Sequence, residues 1–546
     1  MSDSTYEYTY EEATRFGSAR WPTDEEIKAS GLLNGPGMRL GYHGNKPLML
    51  QGDAPVIMFS GSGGGKGRDY LIPIAMEPER QIFIDPKGDL TASVIQGAAS
   101  QGFEFFAWNP YSLYQEAPWF VPAHRCNLFE LLTPDNPFLI DDVKFTFQQA
   151  ILLSTGKSRF FEKRARQWGE GLLLYMIETT GRVVTPKEFI FLLNMVDERP
   201  KRFAEICSNE MAHSRYGIVR KTAGEMLEKR RSAASEFSGV ISTLSEAFDW
   251  ASSEAVLKSV SGNDFSFYDI TDPARRIKIG LMAHANYMET LAPVVRILMG
   301  MLATAKDRSP GSGIVTMVVD EASQLSPPGS PFELLRKFLT YYRGKGLKSL
   351  TAWQGIGQIS DSFGPGGIST FMGSSQGRLF FSVRDPETAE LISHMLGTQT
   401  IRVRDLVHQA EARKRKMQAA AGIMKGEVDP FDGALEMRLE EQRAQAEGFQ
   451  ARKLSEPDEV MALPDDEALH FISGINLRPM KVKRYPYYTR PEYAGLYMPN
   501  PEHPPFDRVK VSGRVFKGWR TVKSGAVTAD LAALPQYQLG YRSWLE

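Results

Sequence analysis

The chain has 546 residues, 42% of them apolar and 24% charged, with a net charge of -1 and a pI near 6.8. This is the make-up of a folded globular protein with room for two or three domains, and it excludes a globally basic nucleic-acid coat while leaving local basic surfaces open. Two distant cysteines, Cys126 and Cys207, exclude a disulfide framework and a cysteine-based zinc site and suit a reducing cytosol.

No run reaches the roughly 18 consecutive apolar residues of a spanning helix. The nearest, "TLAPVVRILMGMLATA", is shorter and carries Arg296 in its middle. The start, "MSDSTYEYTYEEATRFG", is acidic and aromatic rather than signal-like, so a cytoplasmic chain is expected.

In chain order, residues 1 to about 50 predict short strands and tight turns around "NGPGMRLGYHGNKPLMLQGD". "PVIMFS" predicts a buried strand entering the glycine cluster "GSGGGKG", after which "RDYLIPIAM" has helical spacing. "RQIFIDPKGD" and "FEFFAWNP" predict two further strands. Strand–helix–strand order of this kind predicts an α/β fold with a mainly parallel sheet. From about 127 to 265 the segments are long and amphipathic, among them "FFEKRARQWGEGLLLYMIETTG", and predict an all-α insertion. Strand-like segments resume at "RIKIGLMA", "GIVTMVVDEA", "SLTAWQG" and "GRLFFSV". Residues 408–452 mix both charge signs without a sustained apolar face and predict a charged helical or mobile excursion. The Pro- and Tyr-rich residues 491–546 predict an extended tail.

Three stretches carry chemistry. A phosphate cradle needs glycines where backbone N–H groups converge on an anion, and a lysine at the start of the following helix. Gly63, Gly64, Gly65, Lys66 and Gly67 meet that need directly after a strand. Two positions depart from GxxxxGK[ST]: Ser60 replaces the first glycine and Gly67 the magnesium-binding hydroxyl. Ser60 would cost about 1 kcal/mol if its φ had to be positive. Because Mg2+ keeps several waters, a water could stand in for the hydroxyl. Neither departure forbids ATP, although a degenerate, non-hydrolysing site stays open. The second stretch, "GIVTMVVDEASQL", puts Asp320 and Glu321 at the C-terminal edge of a buried strand, where parallel sheets bind ligands. Asp320 would hold Mg2+ through water and Glu321 would polarise the attacking water, the other reading being an Asp helix cap. The third, "SLTAWQGIGQI", ends a strand at Gln354, either a γ-phosphate sensor or the cap of a loop.

Several of these stretches resemble the type IV secretion coupling proteins, the TraG/TraD-like ATPases of conjugation. "GSARWPTDEEIKASGLL" resembles the segment leading into their motor domain, "IFIDPKGDL" their DPKG strand and "HRCNLFELL" the entry to their helical insertion. "VVDEASQL", "WQGIGQI" and "GRLFFSVRDPETAELISHMLGTQT" are similar to their acid, glutamine and DPETA blocks, and residues 454–488 to their closing segment. Their cradle also ends in KG, which makes Gly67 similar to the family pattern; Ser60 and Gly64 depart from it.

The resemblance implies a RecA-like P-loop NTPase domain with an inserted all-α domain, assembled as a hexameric ring with ATP between subunits. The implied domains are 1–126, 266–407 and 453–490 for the nucleotide-binding part and 127–265 for the insertion. The expected nucleotide-binding set is Gly61, Ser62, Gly63, Gly64, Gly65, Lys66, Gly67, Arg68, Asp85 and Lys87, with Lys66, Glu321, Gln354 and a trans arginine catalytic. Arg384 ranks first for that arginine, before Arg378 and Arg343. ATP and Mg2+ are the implied cofactors. The implied partners are secretion components and a relaxase on single-stranded DNA, or effector proteins. Family members usually carry two membrane helices before "GSAR"; this chain starts almost at that point, so a naturally soluble protein or a partner that supplies the inner-membrane anchor is expected. The other readings are a nucleotide-binding adaptor with little hydrolysis and an FtsK/HerA-type double-stranded DNA pump. "KSRFFEKRARQW" and "EARKRKMQ" offer basic residues near aromatics for single-stranded DNA, or else solvated helix faces.

Overall fold

The computed structural model describes residues 14–116, 121–403, 406–445, 448–493, 495–502, 508–512, 517–526 and 541–545. Its strands are β1 (Met38–His43), β2 (Lys46–Leu50), β3 (Val56–Ser60), β4 (Gln81–Asp85), β5 (Glu104–Trp108), β6 (Ile277–Met282), β7 (Val315–Val319), β8 (Leu347–Trp353), β9 (Gly377–Phe381), β10 (Thr398–Val403), β11 (Gly448–Lys453), β12 (Glu467–Ile472), β13 (Met480–Lys483), β14 (Arg508–Ser512), β15 (Lys517–Ala526) and β16 (Tyr541–Leu545). They fall in two compact units: residues 24–383 with those from 464 onward, and residues 384–463 with the described residues up to 23.

The larger unit is built on an eleven-stranded sheet ordered β2-β1-β13-β12-β9-β3-β8-β7-β4-β6-β5. From β9 to β5 all neighbours are parallel, while β12, β13, β1 and β2 add an antiparallel flank. β3, β4, β7 and β8 are buried along their whole length, as their near-continuous apolar runs require. β8 lies between β3 and β7, with Phe59 in register with Trp353 and Val319 with Thr351. The ends of those three strands therefore open on one edge, which sets the position of the site.

Residues 127–265 contain helices and, among the described residues, no strand; the longest is Arg159–Thr180. The Pro186–Glu198 helix starts on a capping box in which Thr185 Oγ1 accepts from the Glu188 N–H and Glu188 accepts from the Thr185 N–H. The helical stretch Ala285–Arg308 is long and apolar enough to cross a membrane, but its most apolar 18-residue window is 78% buried inside the fold. Its Arg296 lies in that interior and donates to the carbonyls of Gln149 (2.9 Å) and Ala150 (3.2 Å), capping a neighbouring helix C-terminus.

Two expectations change. The described residues of 384–407 and residues 453–463, read as part of the nucleotide-binding domain, fall in the smaller unit. β10 and β11 pair with each other, Thr398 opposite Lys453, instead of extending the large sheet, and the "GSAR" segment joins them through an Ala19 N–H to Thr398 O bond of 3.0 Å. The tail read as extended carries a three-stranded antiparallel sheet, β14-β15-β16. The excursion 408–452 holds the helices Leu406–Lys425 and Pro430–Gln445, joined by a Lys416–Glu441 ion pair of 3.0 Å.

One buried titratable pair yields a pH dependence. His470 on β12 is fully buried with its Nε2 3.0 Å from the Tyr70 hydroxyl. Burial, aided by the positive Arg484, pushes the imidazole down to about 3 from an ordinary 6.5. A His with a depressed folded value stays neutral while the unfolded chain takes up a proton, so stability is lost as pH falls through 6.5 toward 3, by about 1.4 kcal/mol per pH unit at the steepest. His470→Gln removes this component, and denaturant titrations of both proteins at pH 7.5 and 5 will show a smaller acid loss in the variant.

Candidate functional site

The glycine cluster follows β3. Gly63 and Gly65 hold φ of 71° and 89°, which only glycine adopts freely, so the turn needs glycine at both places. Lys66 leads into a wide π turn, Gly67–Leu71, that continues as the helix Ile72–Met76. Ser60, the supposed cost, is the last residue of β3 with ordinary extended backbone, so the penalty expected of a positive φ does not arise. The other departure, Gly64, is enforced by packing, with Ser60 one of three close contacts. A Cβ at Gly64 would lie 2.3 Å from Ser60 Oγ, 2.8 Å from Ser382 Cβ and 2.9 Å from Gly61 O. Gly64→Ala is thus expected to distort the loop at a cost of about 1–3 kcal/mol and to weaken nucleotide binding, measurable by calorimetry. At Gly67 a Cβ would meet nothing within 4 Å, so packing does not enforce the missing hydroxyl.

Across the sheet edge, Lys66 Nζ stands 3.3 Å from Asp320 Oδ1. The pair is an ion contact without hydrogen-bond alignment: both atoms are buried and make no hydrogen bond. Buried polar atoms are rarely left so, and a phosphate oxygen and a hydrated cation would satisfy them. Glu321 beside them has a φ of 53°, left-handed backbone that a non-glycine side chain adopts only at a cost, and its carboxylate accepts from the Gln324 amide. Ser382, at the end of β9, shares that conformation with a φ of 47°. It holds the loop twice, its carbonyl accepting from the Gly61 N–H at 3.2 Å and its hydroxyl donating to Gly64 O at 3.3 Å.

These groups open into a single cleft of about 560 Å³, within the ~300–1,000 Å³ usual for ligand sites. Ser62, Gly63, Gly64, Gly65, Lys66, Gly67, Arg68, Lys87, Asp320, Glu321 and Gln354 all line it. Gly61 and Asp85 do not. The Gly61 carbonyl closes the turn by accepting from the Gly64 N–H at 3.0 Å. The Asp85 carboxyl is buried and caps the next helix, accepting from the N–H groups of Gly88 (2.9 Å) and Thr91 (2.7 Å). Burial, with Asp89 adding to it, pushes that carboxyl up to about 8. Asp85 therefore supports the site from below and is not a ligand-facing anion.

The arginines separate clearly. Arg343 pairs with Asp53 at 2.9 Å, and half-buried Arg378 donates to Ser473 Oγ. Arg384 is exposed in the smaller unit, just before the Asp385 that caps the helix Pro386–Leu396. Both basic stretches are more engaged than their composition suggests. Arg164 pairs with Glu225 at 3.2 Å, Arg166 donates to Ile151 O at 2.7 Å, and Lys416 pairs with Glu441.

A buried arginine behind the loop has no counterpart in the motif reading. Arg484, 2% exposed and just past β13, donates to Gly64 O at 2.8 Å and to Asp69 Oδ2 at 3.0 Å. It donates as well to Ser382 Oγ (3.4 Å), Glu467 O (3.1 Å) and Asp465 O, with its guanidinium 4.3 Å over the Phe381 ring. Asp69 is also gripped by Arg68 in a two-bond pair of 2.6 and 2.9 Å. Residues 454–488 lay within the family-like closing segment, but nothing in the spacing links Arg484 to a carboxylate 415 positions away.

The family model for type IV secretory system conjugative DNA transfer matches residues 20–421. The chain belongs to that family. It is 22% identical over 377 residues to the type IV secretion system-coupling protein VirD4 of Bartonella quintana, covering 66% of this chain and 56% of the relative. It is 21% identical over 491 residues to the protein VirD4 of Rhizobium radiobacter, covering 87% and 64%. The matches thus span less than two thirds of either relative's length. Among solved structures, the plasmid coupling protein TrwB in complex with a non-hydrolysable ATP analogue superposes with a TM-score of 0.59 at 14% identity, over 87% of this chain and 96% of that one. The likeness shows that the fold is of the RecA-like P-loop NTPase kind.

Proposed function

We propose that this chain is a coupling-type ATPase that recruits or moves relaxase-bound single-stranded DNA, or an effector protein, to a type IV secretion apparatus. The observation that carries this reading is the contact of Lys66 with Asp320, both buried and without hydrogen bonds, in a glycine-rich cleft on the edge of a parallel sheet. That ATP occupies the cleft is supported by the TrwB structure solved with an ATP analogue.

In this reading the N–H groups around Gly63–Lys66 and the Lys66 ammonium receive the β- and γ-phosphates. Among the described residues no cluster of three or more His, Cys, Asp or Glu side chains could hold a metal alone, so Mg2+ would be held by Asp320 through water together with phosphate oxygens. When bound, it neutralises charge on the phosphates. Glu321 takes the proton of the attacking water as general base, and the Gln354 amide hydrogen-bonds at the γ-phosphate end. Arg384 is the candidate arginine from a neighbouring subunit of a ring, because Arg343 and Arg378 are held by their own chain.

The test is steady-state ATP turnover with and without single-stranded DNA, beside size measurement under the same conditions. Stimulated turnover with a shift to a ring-sized species is expected. ATP binding without turnover in any condition would leave an adaptor gated by nucleotide, and stimulation by duplex alone would point to a double-stranded DNA pump.

A further inference from the structure

The cradle, the acid pair, Gln354, Lys87 and Asp89 line part of the cleft, and the C-terminal segment supplies Tyr487, Tyr488, Tyr497, Asn500, Arg508 and Trp519. Resting on the nucleotide reading above, we propose that Tyr488 and Trp519 form the base-recognition wall of this cleft and take the flat purine of the bound nucleotide.

The segment is seated against the helix Asp89–Ser100, whose first residue also lines the cleft. The Met498 N–H donates to Ser93 O at 2.8 Å, and Asn500 Nδ2 donates to Asp89 Oδ2 at 3.0 Å. Glu502 meets the Tyr114 hydroxyl, which also bonds Lys87 O at 2.9 Å. Gly97 is required for this seat, since a Cβ there would lie 1.7 Å from the Leu496 carbonyl oxygen. Tyr487 and Tyr497 are buried and meet edge to face at 4.8 Å, and the Tyr488 ring lies edge to face with that of Tyr487 at 5.4 Å. Trp519 stands on β15 opposite Lys510 and is 51% exposed.

A half-exposed indole and a second aromatic on the wall of a cleft that glycines and a lysine also line suit a ligand with both an anionic and a flat aromatic part. Aromatic faces bind bases by stacking, which reads the face of the ring rather than its edge. ATP and GTP are therefore expected to respond alike to loss of the wall.

The test is calorimetric binding of Mg-ATP, Mg-GTP and Mg-tripolyphosphate to the full chain. Trp519→Ala and Tyr488→Ala are expected to weaken both nucleotides about tenfold and to leave tripolyphosphate, which has no base, unchanged. Trp519→Phe and Tyr488→Phe, which keep an aromatic face, are expected to restore most of the affinity and so to show that the fold is intact. Lys66→Ala weakens all three probes. If the alanine variants bind ATP as the wild type does while Lys66→Ala does not, the aromatic wall is wrong and the phosphate site stands. Parallel weakening of ATP and tripolyphosphate in the alanine variants would equally overturn it. If Lys66→Ala changes nothing, the nucleotide reading falls and takes the wall with it.

Discussion

Lys66→Ala will abolish ATP binding and turnover together, whereas Glu321→Gln will keep binding and lower turnover by about 100-fold or more. The two effects separate because the residues act on different things. The Lys66 ammonium is the basic side chain paired with Asp320 among the described residues, and without it the triphosphate meets an uncompensated carboxylate. Glu321 is next in sequence to Asp320 and lines the same cleft, its carboxylate held by the Gln324 amide on a left-handed backbone. Glutamine keeps the shape and cannot accept a proton. Equilibrium binding of a fluorescent ATP analogue with steady-state phosphate release checks both halves. Unchanged turnover in both variants would remove these residues from the chemistry.

What the sequence shows of this site is what lies close together along the chain. The cradle, the Asp320–Glu321 pair and Gln354 each end an apolar strand, and strand ends are legible because a buried parallel strand has a distinctive run of apolar residues. The adjacency of these strands follows from the family pattern, and the register Phe59 to Trp353 and Val319 to Thr351 realises it. Asp85 misled for a physical reason: a carboxylate at a strand end can face a ligand or cap the following helix, and both uses give the same letters. Ser60 and Gly64 read as independent departures, yet they touch: the serine hydroxyl crowds the place of a side chain at 64, together with Ser382 Cβ and the Gly61 carbonyl. β10 and β11 pair across a charged stretch of more than forty residues, and strand partnership over such distances leaves no local periodicity to read.

The least legible feature carries the second large prediction. Arg484→Met will lower the stability of the larger unit by about 3–5 kcal/mol, the cost of breaking a buried charge pair from one side. Asp69 would keep the Arg68 pair, whose arginine side chain is 44% exposed, the Gly64 carbonyl would keep the longer bond from the Ser382 hydroxyl, and the Glu467 and Asp465 carbonyls would lose the Arg484 donor. Methionine fills the space over Phe381 and supplies no N–H, so the loss is polar rather than a cavity. Arg484→Lys will not rescue it, because a single ammonium cannot present the fork that reaches Gly64 O, Asp69, Ser382 and two further carbonyls at once. ATP affinity will fall with stability, since Gly64 belongs to the turn that receives the phosphates and Arg484 is its link to the antiparallel flank of the sheet. Asp69→Asn alone will also destabilise, while the Asp69→Asn/Arg484→Met pair will cost clearly less than the sum of the two, because neither charge is then stranded. Urea unfolding followed by tryptophan fluorescence, with ATP titration of each variant, measures these terms. Strict additivity of the two substitutions would show that Arg484 and Asp69 do not act as a pair, and the loop would then owe its shape to Ser60, Ser382 and its own glycines.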